Sequence, residues 1–222
     1  MPKLALFDLD HTLLSGDSDV LWCEFLMDRG VLDRAEFQPR NEEMARRYRT
    51  GSVSAEDFCA FYVSTLAGRT LAEWRVVCKD FLSEIVAPRI PSAARELVET
   101  HRTLGHRLVM TTATNRVLTE LTAQHLRIDT LLSTEVEVVD GRCTGRTHGV
   151  LNMREGKVTR LRTWLSEQGQ GTDALADAVF YSDSINDLPL LQLVGEPVAV
   201  DPDPRLRAHA ASAGWRCMEL AR

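Results

Sequence analysis

The sequence predicts an α/β protein with a doubly wound parallel sheet and an all-helical insertion after its first strand. Three observations predict this fold. The segment 3–8 (KLALFD) is a short apolar run, typical of a strand that is buried on both faces. Residues 15–88 have helical periodicity and no strand pattern. After Pro91, strand-like and helix-like segments alternate, which implies right-handed βαβ units.

The insertion is predicted to form four helices, several of which carry capping residues at their ends. The segments "SDVLWCEFLMDRG" and "RAEFQPRNEEMARRYRTG" each end at a glycine. "SAEDFCAFYVSTLAG" opens with Ser54 and has Asp57 three residues later, much like a capping box. "TLAEWRVVCKDFLSEIV" is followed by two prolines. We therefore expect a core domain of residues 1–14 and 89–222, interrupted by a helical cap domain of residues 15–88.

The rest of the chain supplies the other predicted elements. Helical spacing is present in "SAARELVETHRTLG", "NRVLTELTAQHL", "REGKVTRLRTWLSEQG" and "NDLPLLQLVG". Strands are predicted at "HRLVMTTA", "DTLLST", "DAVFYSD", "PVAVD" and "WRCMEL". The stretch "EVEVVDGRCTGRTHG" alternates around Asp140-Gly141, which predicts a two-residue β-hairpin.

Composition and charge exclude several classes of partner. The net charge of -6 argues against a nucleic acid or an anionic membrane surface as the main partner. No apolar stretch approaches the roughly 20 residues that span a bilayer, and no secretory signal pattern opens the chain. The five cysteines are scattered and form no CxxC pair. We therefore expect reduced thiols in a cytoplasmic protein, whose oligomeric state the sequence does not predict.

Polar side chains follow several predicted strands at the point where each strand ends. In an open parallel sheet, ligands bind beyond the carboxyl ends of the strands. Asp8 and Asp10 are two residues apart after the first strand, and two carboxylates so close to each other repel unless a cation or a shared proton lies between them. The sequence therefore predicts a site for a charged ligand at this edge, built from Asp8, Asp10, Thr111, Thr112, Asp183 and Asp187, with Lys157 on the helix before the "AVFYS" strand.

These residues lie in four motifs that resemble those of the haloacid dehalogenase superfamily. The motifs are "DLDHT" at 8–12, "VMTTAT" ending at residue 114, Lys157, and "YSDSIND" at 181–187, and they occur in the superfamily's order. The helical insertion directly after the first motif is similar to the superfamily's C1 caps. The likeness is closest to the phosphoserine-phosphatase-like branch, subfamily IB. It implies a Rossmannoid core with a C1 cap and the activity of a phosphoric monoester hydrolase.

The resemblance implies a role for each acidic residue. Asp8 attacks phosphorus and forms an aspartyl-phosphate, one of the known covalent intermediates. Asp10 protonates the departing alkoxide and later takes a proton from the hydrolytic water. A Mg²⁺ ion would be held by Asp8, by the backbone carbonyl of Asp10 and by Asp183, which are the hard oxygen ligands that this ion prefers.

The same resemblance assigns the groups around the phosphate. The Thr112 hydroxyl and the Ala113 amide would hydrogen-bond the phosphoryl oxygens, and Lys157 would neutralise them. Asp187, with Asn186 beside it, would orient the metal's waters or Lys157 from behind.

Simpler structural roles remain open for several of these residues. The hydroxyls of Thr111 and Thr112 could cap the next helix. Lys157 could lie on a solvated helix face, and Asp183 and Asp187 could form a capping arrangement around residues 184–186.

The histidines show no pattern of metal ligands. His11 lies between the acids and Thr12, where oxygen ligands are already supplied, so we expect it at the rim of the site rather than on the metal. The others have no mutual ligand spacing and are expected at the surface: His101, His106, His125, His148 and His209.

Substrate choice in this branch is expected to lie in the helical insertion, which closes over the site. Asp17 aligns with the Glu that phosphoserine phosphatases use for the substrate amine. Tyr62 aligns with their Arg for the substrate carboxylate, and leaving that carboxylate unpaired in a closed site is costly. Arg49 could point into the cleft or lie on a solvated face. We expect a small phosphorylated metabolite, either an amino-alcohol phosphate without a carboxylate, such as histidinol phosphate, or another small phosphomonoester.

Other functions remain as alternatives. The enzyme could be a phosphoserine phosphatase, or a phosphotransferase in which an acceptor hydroxyl replaces water at the second step. A dehalogenase is disfavoured because its chemistry lacks a general acid at the position of Asp10. A phosphate sensor or scaffold on the same fold is disfavoured because no motif residue is missing.

Overall fold

One seven-stranded sheet forms the centre of the protein in the computed structural model, which describes residues 2–220. The strands are β1 (Leu4–Phe7), β2 (Arg107–Asn115), β3 (Thr130–Val139), β4 (Arg142–His148), β5 (Val179–Ser182), β6 (Glu196–Val200) and β7 (Arg216–Met218). Their order across the sheet is β4-β3-β2-β1-β5-β6-β7. Every neighbouring pair is parallel except β3 and β4. The predicted doubly wound parallel sheet is confirmed.

Four helices lie between β1 and the rest of the core, as predicted. They are α1 (Ser18–Asp28), α2 (Arg34–Thr50), α3 (Ala55–Ser64) and α4 (Leu71–Phe81). The chain leaves α4 through a π-helical turn at Leu82–Val86 and a 3₁₀ turn at Ala87–Arg89. The division into a core and a cap domain at residues 14/15 and 88/89 stays a prediction.

The remaining helices cover both faces of the sheet. They are α5 (Ser92–Thr103), α6 (Arg116–His125), α7 (Glu155–Glu167), α8 (Leu188–Leu191) and α9 (Pro204–Ala213). The predicted helix at "NDLPLLQLVG" is only the short α8 behind a 3₁₀ turn at Ile185–Asp187. Helix α9 was not predicted, although Asp203 caps it and Pro204 occupies its first turn. Within residues 2–220, no helix is long and apolar enough to cross a bilayer.

Strand β1 is buried on both sides because successive side chains point to opposite faces. Ala5 and Phe7 pack with α5 and α6, whereas Leu4 and Leu6 pack with α7, α8 and α9. All four are nearly or fully inaccessible to solvent. This burial explains why the strand has an uninterrupted apolar sequence rather than an alternating one.

The insertion packs on the core through aromatic side chains. The rings of Trp22, Phe25, Trp74 and Phe81 contact one another and belong to the same apolar cluster as the β1 face. Both buried indoles have hydrogen-bond acceptors, since Trp22 Nε1 donates to Thr65 and Trp74 Nε1 donates to a backbone carbonyl. The insertion is therefore fixed in place by apolar packing with its polar atoms satisfied.

The predicted hairpin is confirmed, but its first strand is longer than expected. Residues Asp140 and Gly141 both have positive φ, as a type I′ turn requires. The segments "DTLLST" and "EVEVV" form one continuous strand, β3, which pairs with β2 on one side and β4 on the other.

The expectation that His101 lies at the surface is wrong. Its ring is buried against Phe7, and its two nitrogens lie 2.8 Å from the Tyr181 hydroxyl and 2.7 Å from His106 Nδ1. Burial, together with the neighbouring His106, lowers the pKa of His101 to about 4. The histidine completes the inward stripe that Ala94 and Val98 begin at helical spacing.

Candidate active site

The carboxyl ends of β1, β2 and β5 meet at the point where the strand order reverses. The backbone N–H of Asp8 donates to the Tyr181 carbonyl at 3.0 Å, which carries the β1–β5 pairing one residue further. The chain then turns sharply at His11, which has a φ of 55° and an exposed side chain. Such a switch point is where ligands bind in doubly wound sheets.

Lys157 is buried between two carboxylates. Its Nζ lies 2.7 Å from Asp8 Oδ1 and 2.8 Å from Asp187 Oδ2, and its side chain is only 3% exposed. Burial lowers the pKa of Lys157 but Asp187 and Asp8 raise it further, so that the ammonium stays charged. The alternative of a solvated lysine is wrong, because α7 turns this side chain into the site.

Asp8 and Asp183 approach each other through the hydroxyl of Thr12. That oxygen lies 3.4 Å from Asp8 Oδ2 and 3.4 Å from Asp183 Oδ1, and it accepts the Asp183 backbone N–H at 3.1 Å. Burial raises the pKa of Asp8 to about 7, although Lys157 lowers it. Burial and the Asp8 carboxylate raise the pKa of Asp183 well above its usual range. This site has too few positive charges for its buried carboxylates.

The residues present fit a divalent cation. Asp8, Asp183 and Asp187 would place three negative charges around one Lys157 ammonium, and a bound Mg²⁺ would compensate the excess. Mg²⁺ keeps several waters and takes one or two carboxylates together with substrate phosphate oxygens. In the described part of the chain, no three His, Cys, Asp or Glu side chains form a preformed metal cluster. Two carboxylates, Asp8 and Asp183, together with the Asp10 carbonyl, are the small set of protein ligands that Mg²⁺ usually takes.

The Asp10 side chain is held by three donors. Its Oδ1 accepts the Ser18 backbone N–H at 2.6 Å. Its Oδ2 accepts the hydroxyls of Thr114 at 2.9 Å and of Thr112 at 3.3 Å. These bonds orient the carboxyl between the end of β2 and the beginning of α1.

Thr112 and Ala113 lie at the site, and Thr111 faces elsewhere. The Thr111 hydroxyl accepts a hydrogen bond from the side chain of Asn152 at 3.0 Å. Helix α6 is capped by Asn115, so the alternative that the two threonines cap this helix is wrong. Asn152 was missed by the sequence analysis; it also donates to two backbone carbonyls and anchors the loop before α7.

The Asp187 carboxylate binds side chains of the site and does not cap the following helix. Besides Lys157, its Oδ2 accepts the Ser182 hydroxyl at 2.7 Å. The capping bond in this loop comes from Ser184, whose Oγ accepts the Asn186 backbone N–H. The capping alternative for Asp183 and Asp187 is therefore wrong.

The site encloses a cavity of about 20 Å³, which is about the room that one water molecule needs. Tyr48 of α2 is the lining residue from the helical insertion, and its ring packs 4.6 Å from that of Phe58. Burial and the neighbouring Asp183 raise the pKa of Tyr48. Sequence analysis missed this residue, although Asn41 and Ala45 begin the same inward stripe. A phosphomonoester is larger than this cavity.

None of the three predicted substrate residues is among the described residues that line the cavity. Asp17 caps α1, and both cap bonds go to Oδ1. Burial and Asp10 raise the pKa of Asp17 to about 7, while the charge of the exposed Arg49 lowers it. The buried Tyr62 donates its hydroxyl to Asn41 Oδ1 at 3.2 Å. The roles of Asp17, Arg49 and Tyr62 in substrate binding stay predictions.

Arg154 joins the insertion to the core, and no sequence pattern indicated it. Its guanidinium donates to the Val53 carbonyl at 3.1 Å and to Asn186 Oδ1 at 3.4 Å. Its backbone has a φ of 53°, which is strained for a residue other than glycine. The strain lies directly before the helix that carries Lys157.

The chain is similar to known proteins in sequence and in structure. Residues 5–192 match the family model of the haloacid dehalogenase-like hydrolases. The histidinol-phosphatase of Neisseria meningitidis serogroup C is 38% identical over 216 residues, which cover 97% of each chain. The phosphoserine phosphatase SerB1 of Mycobacterium tuberculosis is 34% identical over 224 residues, covering 97% of this chain and 70% of that protein. A protein with unknown function from Bordetella pertussis superposes with a TM-score of 0.92 at 38% identity, covering 98% of this chain and 99% of that one.

Proposed function

The chain belongs to the haloacid dehalogenase-like hydrolases and is a phosphatase of the phosphoserine-phosphatase-like branch, and from this premise we propose that it is Mg²⁺-dependent and hydrolyses a small phosphomonoester through an aspartyl-phosphate on Asp8. The observation that carries the proposal is the buried Asp8 carboxylate, held 2.7 Å from Lys157 in an enclosed cavity. Mg²⁺ bound by Asp8, Asp183 and the Asp10 carbonyl would supply charge neutralisation for the phosphoryl oxygens.

Asp8 performs the attack in this proposal. Its Oδ1 is paired with Lys157, which leaves Oδ2 with only the long contact to Thr12. Attack on phosphorus forms the Asp8 oxygen–phosphorus bond and breaks the bond to the substrate's alkoxide. Water then cleaves the acyl phosphate and regenerates the carboxylate.

Asp10 moves the protons. It gives a proton to the departing alkoxide and accepts one from the water in the second step, and such catalysis typically contributes ~10²–10⁴-fold. Its Oδ2 already accepts two hydroxyls, whereas Oδ1 accepts one backbone N–H. We therefore assign the mobile proton to Oδ1, which has a free lone pair.

Lys157, Thr112 and Ala113 bind the phosphoryl oxygens. The Lys157 ammonium is fixed by Asp187, so no reorganisation is needed when charge develops on the phosphoryl group. Asn186 lines the same cavity beside Asp187. Tyr48 closes the cavity from the insertion and excludes bulk water.

The substrate we favour is an amino-alcohol phosphate such as histidinol phosphate. Asp17 keeps Oδ2 available for an ammonium group, since both cap bonds use Oδ1. Tyr62 stands where a carboxylate-binding arginine is expected, and its hydroxyl is already bonded to Asn41. The 38% identical relative named histidinol-phosphatase supports the same substrate class.

Phosphoserine is the second candidate substrate. The observation in its favour is the 34% identical relative named phosphoserine phosphatase. A phosphotransferase is the second candidate reaction, because an acceptor hydroxyl that enters the cavity replaces water in the same step.

The first experiment tests the chemistry. With Mg²⁺, the purified protein should release phosphate from an aryl phosphate, and both Asp8→Asn and chelation by EDTA should abolish the release. Near-native turnover by a folded Asp8→Asn protein would refute the covalent mechanism. Alkyl phosphate products in the presence of added alcohols would identify a phosphotransferase.

The second experiment tests the substrate by comparing kcat/KM for histidinol phosphate, phosphoserine and a sugar phosphate. Asp17→Asn is a suitable variant because asparagine is an equally good N-cap. We expect kcat/KM for histidinol phosphate to fall about 30-fold or more, as for loss of one partner of a buried charge pair. The aryl phosphate serves as the control and should be unaffected. Equal use of phosphoserine by the wild type would contradict the proposed role of Tyr62.

A further inference from the structure

Three side-chain oxygens converge on the hydroxyl of Thr114. Ser18 Oγ lies at 3.0 Å, Asp10 Oδ2 at 2.9 Å and Asp19 Oδ2 at 3.1 Å. Thr114, Ser18 and Asp19 are each at most 3% exposed. A hydroxyl donates one hydrogen and accepts two, so only one of the two carboxyl groups receives the Thr114 proton.

Asp10 is the group that receives it. Its carboxyl oxygens accept two further hydrogen bonds, from the Ser18 backbone N–H and from Thr112. Asp10 Oδ2 remains an acceptor whether or not Oδ1 carries the catalytic proton. The contact between Thr114 and Asp19 is then a hydrogen bond only if the Asp19 carboxyl is protonated and donates to the Thr114 hydroxyl oxygen.

The surroundings of Asp19 also favour a protonated carboxyl. Its Oδ1 is buried without a hydrogen-bond partner, and no lysine, arginine or histidine of residues 2–220 forms an ion pair with it. An unpaired buried carboxylate is costly, whereas a neutral carboxyl is tolerated. Burial, reinforced by Asp17 and Asp10, raises the pKa of Asp19 well above its usual range.

We propose that Asp19 is a neutral carboxyl that donates to the Thr114 hydroxyl and thereby directs the Thr114 proton to Asp10, so that Asp19 is a positioning residue for the general acid–base. Asp19 is not among the described residues that line the cavity. Its hydrogen-bonded connection to Asp10 runs through the Thr114 hydroxyl. The inference rests on the proposed role of Asp10.

Two substitutions at Asp19 separate this role from others. Asp19→Asn keeps the shape and an N–H donor toward Thr114, so kcat should stay within about threefold of the wild type. Asp19→Leu removes the donor without leaving a cavity. We expect it to lower kcat about tenfold with KM unchanged, because general acid–base catalysis worth ~10²–10⁴ is impaired but not removed. Cys23→Ala, at a buried position one turn along α1, is the control for packing and should leave kcat unchanged.

Coupling through Thr114 is tested with Thr114→Val. Asp19→Leu should have no further effect on kcat in the Thr114→Val protein, because the connecting hydroxyl is gone. Additive losses would overturn the proposal. An effect of Asp19→Leu on thermal stability alone, with kcat intact, would also overturn it.

Infrared spectroscopy reads the protonation state without activity. The difference between the wild-type and Asp19→Asn spectra at neutral pH should contain the C=O stretch of one protonated carboxyl, with ¹³C-labelled aspartate confirming the assignment. Absence of this band would overturn the proposal. So would an Asp19→Asn protein with a raised KM for histidinol phosphate but not for an aryl phosphate, since that pattern identifies an ionised group that binds the substrate amine. Failure of the proposed function would show separately, as turnover that survives Asp8→Asn.

Discussion

Replacing Lys157 by methionine tests the electrostatics of the site most directly. Methionine has about the same length and shape but no charge, so Asp8 and Asp187 lose their shared partner while the packing changes little. Both carboxylates are nearly inaccessible, with side-chain exposures of 9% and 5%. Solvent therefore cannot replace the ammonium that they lose.

The size of the effect follows from the two contacts. Hydrogen bonds to charged groups contribute ~1.5–3 kcal/mol each, and removing one member of a buried ion pair costs ~3–5 kcal/mol. Lys157 forms two such bonds, at 2.7 and 2.8 Å. We expect Lys157→Met to lower the free energy of unfolding by about 3–5 kcal/mol at pH 8. For a protein of this size, the melting temperature should fall by on the order of 10 °C.

Urea unfolding in EDTA, followed by circular dichroism, measures the loss. Lys79→Met on the exposed side of α4 is the matched control and should change stability by less than about 0.5 kcal/mol. The loss should shrink at pH 5. Burial raises the pKa of Asp8 to about 7, so that this carboxyl becomes neutral as the pH falls and then needs no partner.

The double variant Lys157→Met/Asp187→Asn shows whether the carboxylates cause the effect. If they do, it should be less destabilised than the sum of the single variants, because the unpaired charge on Asp187 is removed. A loss below 1 kcal/mol for Lys157→Met, or full additivity in the double variant, would refute the reasoning.

Three further predictions concern residues that the sequence analysis missed or misplaced. Tyr48→Ala should lower kcat about tenfold by admitting water to the cavity, whereas Tyr48→Phe should stay near the wild type; equal losses in steady-state assays would assign the effect to the hydroxyl instead. Stability should decline as the pH falls from 6.5 to 4, because unfolded histidine binds a proton that the buried His101 does not; a His101→Gln protein with an unchanged pH profile in thermal melts would contradict this. Arg154→Ala should raise KM with kcat nearly unchanged. In urea unfolding, the free energy of unfolding of Arg154→Gly should be about 1 kcal/mol higher than that of Arg154→Ala, because glycine relieves the positive φ. The reverse order would contradict the argument that this position is strained.

The sheet, the helical insertion and the gathering of the motif residues at the carboxyl ends of the strands could be predicted from the sequence. These follow from local patterns: an apolar run for β1, helical periodicity through residues 15–88 and polar residues directly after strands. Parallel strands end at one edge, so Asp8 and Asp183 had to lie near each other once the strands were recognised. The turn at Asp140-Gly141 was equally local, because two positive φ angles favour those residue types.

Tertiary structure alone decided which further side chains take part. Tyr48 rather than Arg49 lines the cavity because the buried face of α2, which contains Asn41 and Ala45, continues to Tyr48. His101 is buried because α5 turns that position inward. The contact of Asp19 with Thr114 joins residues that are 95 positions apart. The face that a helix turns inward and the carboxyl that receives the Thr114 proton both depend on how distant elements pack. No local pattern in the chain indicates either.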